Sequence, residues 1–282
     1  MSKVTIVTDS TAYLPDHLVK QYGIIVAPQV LIWGEKTYLD GVDIQPDEFY
    51  ARLKTATVMP TTSQVSIPTF QKIFQELTDQ GQQVLAILVS TKLSGTIDSA
   101  IQARAALTKA PIEIVDSTTT SMALGFITMS VARAAEQGAS LAECKVLAEN
   151  ARGYTGVIFA VDTLEFLHRG GRIGGGSRYL GTALQLKPIL EVRDGRVEAV
   201  ERVRTRRKSL IRVVDMIVAR VGDKTPVRLA TLHANAAEEA RMMLEQASAK
   251  LNPVEKFLAQ VSPVVGTHAG PGTVGIAYMA GM

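Results

Sequence analysis

The chain has a single cysteine, Cys144, among 282 residues. One thiol excludes an internal disulfide framework and a cysteine-rich metal site. In "LAECKVLAEN" it reads as a small packing residue on a helix. A strong charge of either sign is missing too: 30 Lys and Arg against 27 Asp and Glu leave a formal net charge of +3, too small to argue a nucleic-acid surface by itself. Long apolar runs are absent. The most lipid-like stretch, "SMALGFITMSVARAA" from Ser121 to Ala135, is shorter than the roughly 20 residues needed to span a bilayer and is diluted by Ser, Thr and Gly. It reads as a buried helix. The start, "MSKVTIVTDS", enters a strand with no basic segment and apolar h-region before it, so cytoplasmic residence is the expectation. Catalytic signatures are lacking as well: there is no H-E-x-x-H, no G-x-S-x-G, and no carboxylate pair that spacing would place on one helix face.

What is present is strand and helix in alternation. "VTIVT" at Val4, "GIIVAPQVLIW" at Gly23, "QVLAILVS" at Gln83 and "IEIVDS" at Ile112 are β-branched runs that read as strands. Between them "DEFYARLKTA", "PTFQKIFQELTDQG" and "TIDSAIQARAALTKA" carry apolar residues at spacings of three and four. Such alternation predicts crossover units and a mostly parallel, Rossmann-like sheet covered on both faces. The chain then reads as two helices to a boundary near Gly153. Beyond it come a strand at "GVIFAV", a hairpin in "KPILEVRDGRVEAVERV" turning at Asp194-Gly195, a basic helix from Thr205 to Val221, and further strands around the helix "NAAEEARMMLEQASAKL". The length favours two domains: an N-terminal α/β domain at 1–153 and a C-terminal α/β domain with a mixed sheet at 154–282.

Four segments gather hydroxyls, glycines or a charge at strand edges: "TTSQVSIP" at Thr61, "STKLSGTIDSA" at Ser90, "HRGGRIGGGSR" at His168 and "THAGPG" at Thr267. The second places the amides around Ser94, Gly95 and Thr96 at a helix N-terminus, which favours an anion. Ordinary capping by Ser94 is the plainer account of the same residues. "GGRIGGG" fits neither the G-x-x-x-x-G-K-[ST] nor the G-x-G-x-x-G pattern, so it carries no nucleotide assignment. His268 follows "SPVVGT", which reads as a strand, and precedes "AGPGTVG", whose bare backbone lets a partner approach closely. Two strands end in Asp-Ser; capping explains Asp9, Ser10, Asp116 and Ser117 as well as a site does.

Taken in order, "TDSTAYLP", "TSQ", "LSGT", "GGRIG", "KPIL" and "HAGPG" resemble the DegV family of bacterial fatty-acid-binding proteins, from Val4 to Ala280. The resemblance implies two α/β domains with a long-chain fatty acid between them and no cofactor, metal or catalytic site. It further implies a carrier that presents the acid to a separate ATP-using fatty acid kinase for acyl-phosphate formation. Transient membrane-surface contact for lipid exchange goes with such a role. Carried over residue by residue, it makes Thr62, Ser94 and His268 the carboxylate contacts, supported by Ser63, Gly95, Thr96, Gly270 and Arg172. The sequence departs from the family's commoner pattern at Val65, Lys92 and Ile97, and Lys92 adds a cation near the head group.

A fatty acid needs a few polar donors and a long apolar channel, each buried methylene contributing about 0.8 kcal/mol. Met122, Ala123, Ile158 and Ala160 are the expected lining, with plain core packing the alternative. A hydrolase or acyltransferase acting on a lipid-like substrate through Ser94 and His268 is the competing function. The stretch "ERVRTRRKSLIR" lacks interleaved aromatics for base stacking. Its Arg202, Arg206 and Arg207 therefore suggest an acidic protein partner, the kinase subunit, rather than nucleic acid.

Overall fold

The computed structural model describes residues 3–108, 110–179 and 186–282. The first part of the chain supplies seven strands: β1 (Val4–Asp9), β2 (Ile25–Ala27), β3 (Val30–Trp33), β4 (Lys36–Leu39), β5 (Thr61–Ser63), β6 (Gln83–Leu88) and β7 (Ile112–Asp116). Four of them form a parallel sheet in the order β2-β1-β6-β7, and β4-β3-β5 form a small antiparallel one. The strands β8 (Thr155–Ala160), β9 (Lys187–Arg193), β10 (Arg196–Val203), β11 (Val227–His233), β12 (Glu255–Gln260) and β13 (Val274–Ala280) make one mixed sheet in the order β10-β9-β8-β13-β11-β12. The architecture is thus mixed α/β, as the alternation of patterns predicts.

The helices are α1 (Asp16–Tyr22), α2 (Pro46–Leu53), α3 (Ile67–Asp79), α4 (Thr96–Ala105), α5 (Ser121–Glu136), α6 (Leu141–Ala151), α7 (Glu165–Arg169), α8 (Arg206–Val221), α9 (Ala237–Leu251) and α10 (Pro263–Ala269). They stack with the two large sheets in five layers. Helices α3 and α4 cover the outer face of the parallel sheet, α8 and α9 cover the outer face of the mixed sheet, and α5 with α6 lies between. Helix α5 buries 11 of its 16 residues, because it meets β1 and β6 on one side and β8 and β13 on the other. A helix apolar on all sides is stable only when covered on all sides. Gly125 permits the closest approach: a Cβ there would stand 2.6 Å from the Ala12 carbonyl oxygen.

Local signals account for several element boundaries. Ser140 and Glu143 form a reciprocal capping box at the start of α6. The Asp194-Gly195 turn has both residues at positive φ, 50° and 79°, the geometry of a two-residue type I′ hairpin. Three expectations are corrected. "GIIVAPQVLIW" is two strands in different sheets, because Pro28 and Gln29 interrupt it between β2 and β3. "SPVVGT" is helical rather than extended: Ser262 accepts from the Val265 amide at 3.5 Å, Pro263 opens α10, and these start signals outweigh two valines. "TIDSAIQARAALTKA" is helical only to Ala105, and its Lys109 lies outside the described residues.

No helix among the described residues is long and apolar enough to cross a membrane, and no group of three His, Cys, Asp or Glu side chains among them could hold a metal. Substituting Gly125→Ala forces backbone or helix to move in a filled interior, so we expect a loss of about 1–3 kcal/mol in unfolding free energy. A denaturant midpoint equal to that of the parent protein would contradict the packing of α5 described above.

Candidate functional site

In the parallel sheet the chain leaves β1 toward β2 on one side, while β6 lies on the other. The carboxyl ends of β1 and β6 therefore flank a topological switch point, where open α/β sheets form their ligand crevice. Asp9 builds this end of the sheet. Its buried carboxylate accepts the Val89 amide at 2.7 Å, the Thr11 amide at 3.0 Å and the Thr11 hydroxyl at 2.7 Å, so it ties the end of β1 to the end of β6. Burial raises its pKa against these hydrogen bonds. Asp40 makes a second tie. It accepts the Ser10 hydroxyl at 2.6 Å and the Val264 amide at the start of α10 at 3.2 Å, and burial pushes it up to about 6.

A cavity opens at this crevice, between the parallel sheet and the mixed one. Thr11, Tyr13, Val89, Leu93 and Ser94 border it from the ends of β1 and β6. Val157, Phe159, Val192, Leu232 and Gly275 line it from the strands of the mixed sheet. Val264, Val265, His268 and Ala269 of α10 and Thr62, Ser63 and Gln64 of β5 and its exit add the remaining wall. Most of this surface is hydrocarbon. The polar groups come mainly from β5, α10 and the loop before α4.

The Thr62 hydroxyl and His268 Nε2 share a hydrogen bond of 2.7 Å, and Nδ1 of the same ring is buried without a partner. Gly170 makes room for that ring: a Cβ at 170 would sit 2.0 Å from His268 Nδ1. Arg172 is held from two sides, its Nε donating to the Leu93 carbonyl at 3.0 Å and its Nη1 to the Gly170 carbonyl at 2.7 Å. Two of its five donors are used in this way. Ser94 and Thr96 hydroxyls lie 2.8 Å apart, and Gln29 Nε2 donates to Thr96 at 2.9 Å. The Thr96 hydroxyl also donates to Gln29 Oε1 at 3.2 Å, so Ser94 stands at the cavity end of a chain that runs through Thr96 to Gln29. Gly95 is the N-cap of α4 and Ser94 is not; a Cβ at 95 would meet the Gln64 amide at 3.3 Å. Gly270, at φ 80° with a would-be Cβ 2.4 Å from the Phe166 ring, lets the end of α10 pass α7.

Thr62, Ser63, Ser94, Arg172 and His268 thus border one cavity, with Gly95, Thr96 and Gly270 shaping its polar part. Other expected residues stand elsewhere. Met122 and Ala123 pack in the core around α5. Ile158 and Ala160 point to the outer face of the mixed sheet, against α8 and α9, while Val157 and Phe159 face the cavity. Both faces of β8 are covered, so apolarity alone does not separate them. Lys92 reaches the Asp194 carbonyl at 3.0 Å rather than the polar cluster. Arg206 is paired with Glu239 and lies 3.7 Å from Asp162, whereas Arg202 and Arg207 are exposed. Gln29, Tyr13 and Asp40 were not among the expected site residues; Tyr13 stands within the motif "TDSTAYLP", and Gln29 is a lone polar residue within "APQVL".

The DegV family model, described as one of uncharacterised proteins, matches residues 3–281. The chain belongs to the DegV family. Protein DegV of Bacillus subtilis is 32% identical to it over 280 residues, covering 98% of both chains. A DegV family protein from Thermus thermophilus, whose structure is described by its fatty acid binding, superposes with a TM-score of 0.93 at 32% identity and 99% coverage of each chain. The structure of DegV from Bacillus subtilis, described as a fatty acid binding protein, gives a TM-score of 0.91 at 31% identity, covering 99% of this chain and 100% of that one. The DegV architecture therefore extends over the whole of this chain.

In this DegV family member the His268 ring has an unusual acidity. Burial, with the Arg172 charge adding to it, pushes it down from 6.5 to about 4. Between these values the unfolded chain binds the proton and the folded one does not. The stability due to the neutral ring is therefore complete above pH 6.5 and is lost as pH falls toward 4, by about 3 kcal/mol. We expect the difference in unfolding free energy between the parent protein and His268→Gln to shrink by about that amount from pH 7 to pH 4. Asp40 contributes with the opposite sign but is common to both proteins. A difference independent of pH would place the imidazole in water.

Proposed function

We propose that this chain binds a long-chain fatty acid in the cavity at the switch point, and presents its carboxylate to a separate ATP-dependent fatty acid kinase for acyl-phosphate formation. One observation carries the reading: a small set of donors, Thr62, Ser94, His268 and Arg172, borders a cavity walled mostly by hydrocarbon. A carboxylate accepts charge-assisted hydrogen bonds from such donors, and each methylene buried against Val157, Phe159, Leu232 and their neighbours adds about 0.8 kcal/mol. His268 is neutral at physiological pH and has one N–H; carried on Nε2, it donates to the Thr62 hydroxyl, whose own proton is then free for the carboxylate, and Arg172 is the cation. The descriptions of the Thermus and Bacillus relatives as fatty-acid-binding support the same ligand. The reading takes 1–153 and 154–282 as two cytoplasmic domains with the acid between them, loaded by transient contact at a membrane surface.

The competing hydrolase or acyltransferase reading asks for a base oriented by a third group. His268 bonds to Thr62 and its Nδ1 meets no acceptor, while Ser94 bonds to Thr96. That arrangement favours binding over nucleophilic attack, and we take the chain to be a carrier without a catalytic site.

Protein purified from a bacterial host should release a long-chain fatty acid on denaturing extraction, and delipidated protein should rebind it. Ser94→Ala and His268→Ala should each weaken rebinding about 10- to 100-fold, the first by losing a hydrogen bond to an ionised group at about 1.5–3 kcal/mol and the second by releasing the Thr62 hydroxyl that makes one. No acyl chain by mass spectrometry together with no rebinding would sink the carrier reading, and unchanged affinity in both folded variants would sink this placement of the head group.

The partner surface calls for a different variant from one at Arg206, whose reversal would break the pair with Glu239. Arg204 and Arg207 are exposed near the start of α8. Reversing both to Glu should leave fatty-acid affinity unchanged and slow acyl-phosphate formation with kinase and ATP, most strongly at low salt. Equal loss of both would put these arginines at the lipid site; loss of neither would leave them an ordinary solvated face.

A further inference from the structure

A second hollow, of about 340 Å³, lies at the carboxyl end of β7. It shares only Val157 and Val192 with the cavity described above, and its chemistry is the reverse. Ser117, Thr118 and Thr119 follow β7 on one side; Arg152 comes from the end of α6; Arg193 and Arg220 come from β9 and α8. Three guanidiniums here face two carboxylates, Glu191 and Asp194.

Glu191 is 4% exposed and takes one guanidinium on each oxygen, Arg193 at 3.3 Å and Arg220 at 2.8 Å. A plain buried ion cluster would need no more than that. Two further observations point to a ligand. Thr119, 6% exposed, lines the hollow with its Oγ1 buried and unpaired, and Arg152 Nε is likewise buried without a partner. A buried donor or acceptor that nothing meets is destabilising, and a ligand that meets it recovers that loss. The turn that carries Thr119 is itself fixed: Asp116 accepts the Thr118 amide at 2.7 Å, Ser117 Oγ accepts the Thr119 amide at 3.2 Å, and Thr118 stands at φ 54°. Gly156 keeps the opposite wall open, since a Cβ there would lie 2.8 Å from the Tyr278 hydroxyl.

We propose that this hollow binds a small phosphate monoester carrying hydroxyl groups. Arg152, Arg193 and Arg220 supply planar, always-charged donors for the dianion. Asp194, Tyr278 and the Thr118 and Thr119 hydroxyls meet the ester's own hydroxyls. The volume is far above the about 10–15 Å³ that a single water needs, which suits an organic ester better than a lone inorganic ion.

The test uses glycerol 3-phosphate as probe, titrated calorimetrically into the full chain, with glycerol and inorganic phosphate in parallel. Saturable binding of the ester is expected, at least tenfold tighter than inorganic phosphate, with none for glycerol. Arg152→Gln and Arg193→Gln should each weaken it tenfold or more. Arg193 is half exposed, so its variant should fold even if that at Arg152 does not. Fatty-acid content should be unchanged in both, which separates this hollow from the acyl cavity. Absence of saturable heat, equal affinity for ester and inorganic phosphate, or undiminished binding in both folded variants would each overturn the proposal.

Discussion

Everything in this protein is arranged around a helix that has no side to give to water. The segment from Ser121 to Glu136 is apolar around most of its circumference and buries 11 of 16 residues, so it needs a cover on each side. The parallel sheet supplies one and the mixed sheet the other. The two sheets are thereby held apart by the thickness of one helix. Where α5 begins, at Thr120 and Ser121, the gap continues past the helix as the apolar cavity, and both residues border it. The cavity is thus a consequence of how far the central helix extends between the sheets.

The polar end of the cavity follows from a second constraint, the need to satisfy backbone groups where parallel strands stop. Asp9 takes amides from the ends of both β1 and β6, and Asp40 takes an amide from α10 and a hydroxyl from Ser10. These buried carboxylates are engaged by the fold. They position the loop before α4 and helix α10, which carry Ser94 and His268. Through Asp40, the register of the small antiparallel sheet is coupled to the orientation of α10. The linkage makes the donors of the proposed head-group site a rigid set, and preorganised donors lose less entropy on binding.

The two hollows on either side of Val157 and Val192 divide the seam between the sheets into an apolar and a charged half. Val157 and Val192 border both hollows, and Glu191, Arg193 and Asp194 at the end of β9 border only the charged one.

Sequence alone determined whatever depends on near neighbours. The alternation of strand and helix, the Asp194-Gly195 hairpin, the buried character of α5 and the order of the motifs that mark the DegV family are all set within a few residues, where turn chemistry, capping and periodicity act. The residues bordering the cavity at Thr62, Ser94, Arg172 and His268 were legible through those motifs. Tertiary structure decided the rest. Whether Val157 and Phe159 or Ile158 and Ala160 face the cavity depends on which helices cover each side of β8, and both faces are apolar. Arg206 looked like part of an open basic patch until Glu239, 33 residues on, was brought against it. "SPVVGT" read as a strand, and a serine cap with the following proline made it a helix. Gln29 entered the polar cluster only because the chain crosses between two sheets at that point and sets its amide on Thr96. Contacts between residues far apart in the chain are selected by the packing of whole layers, and no local pattern records which layer will arrive.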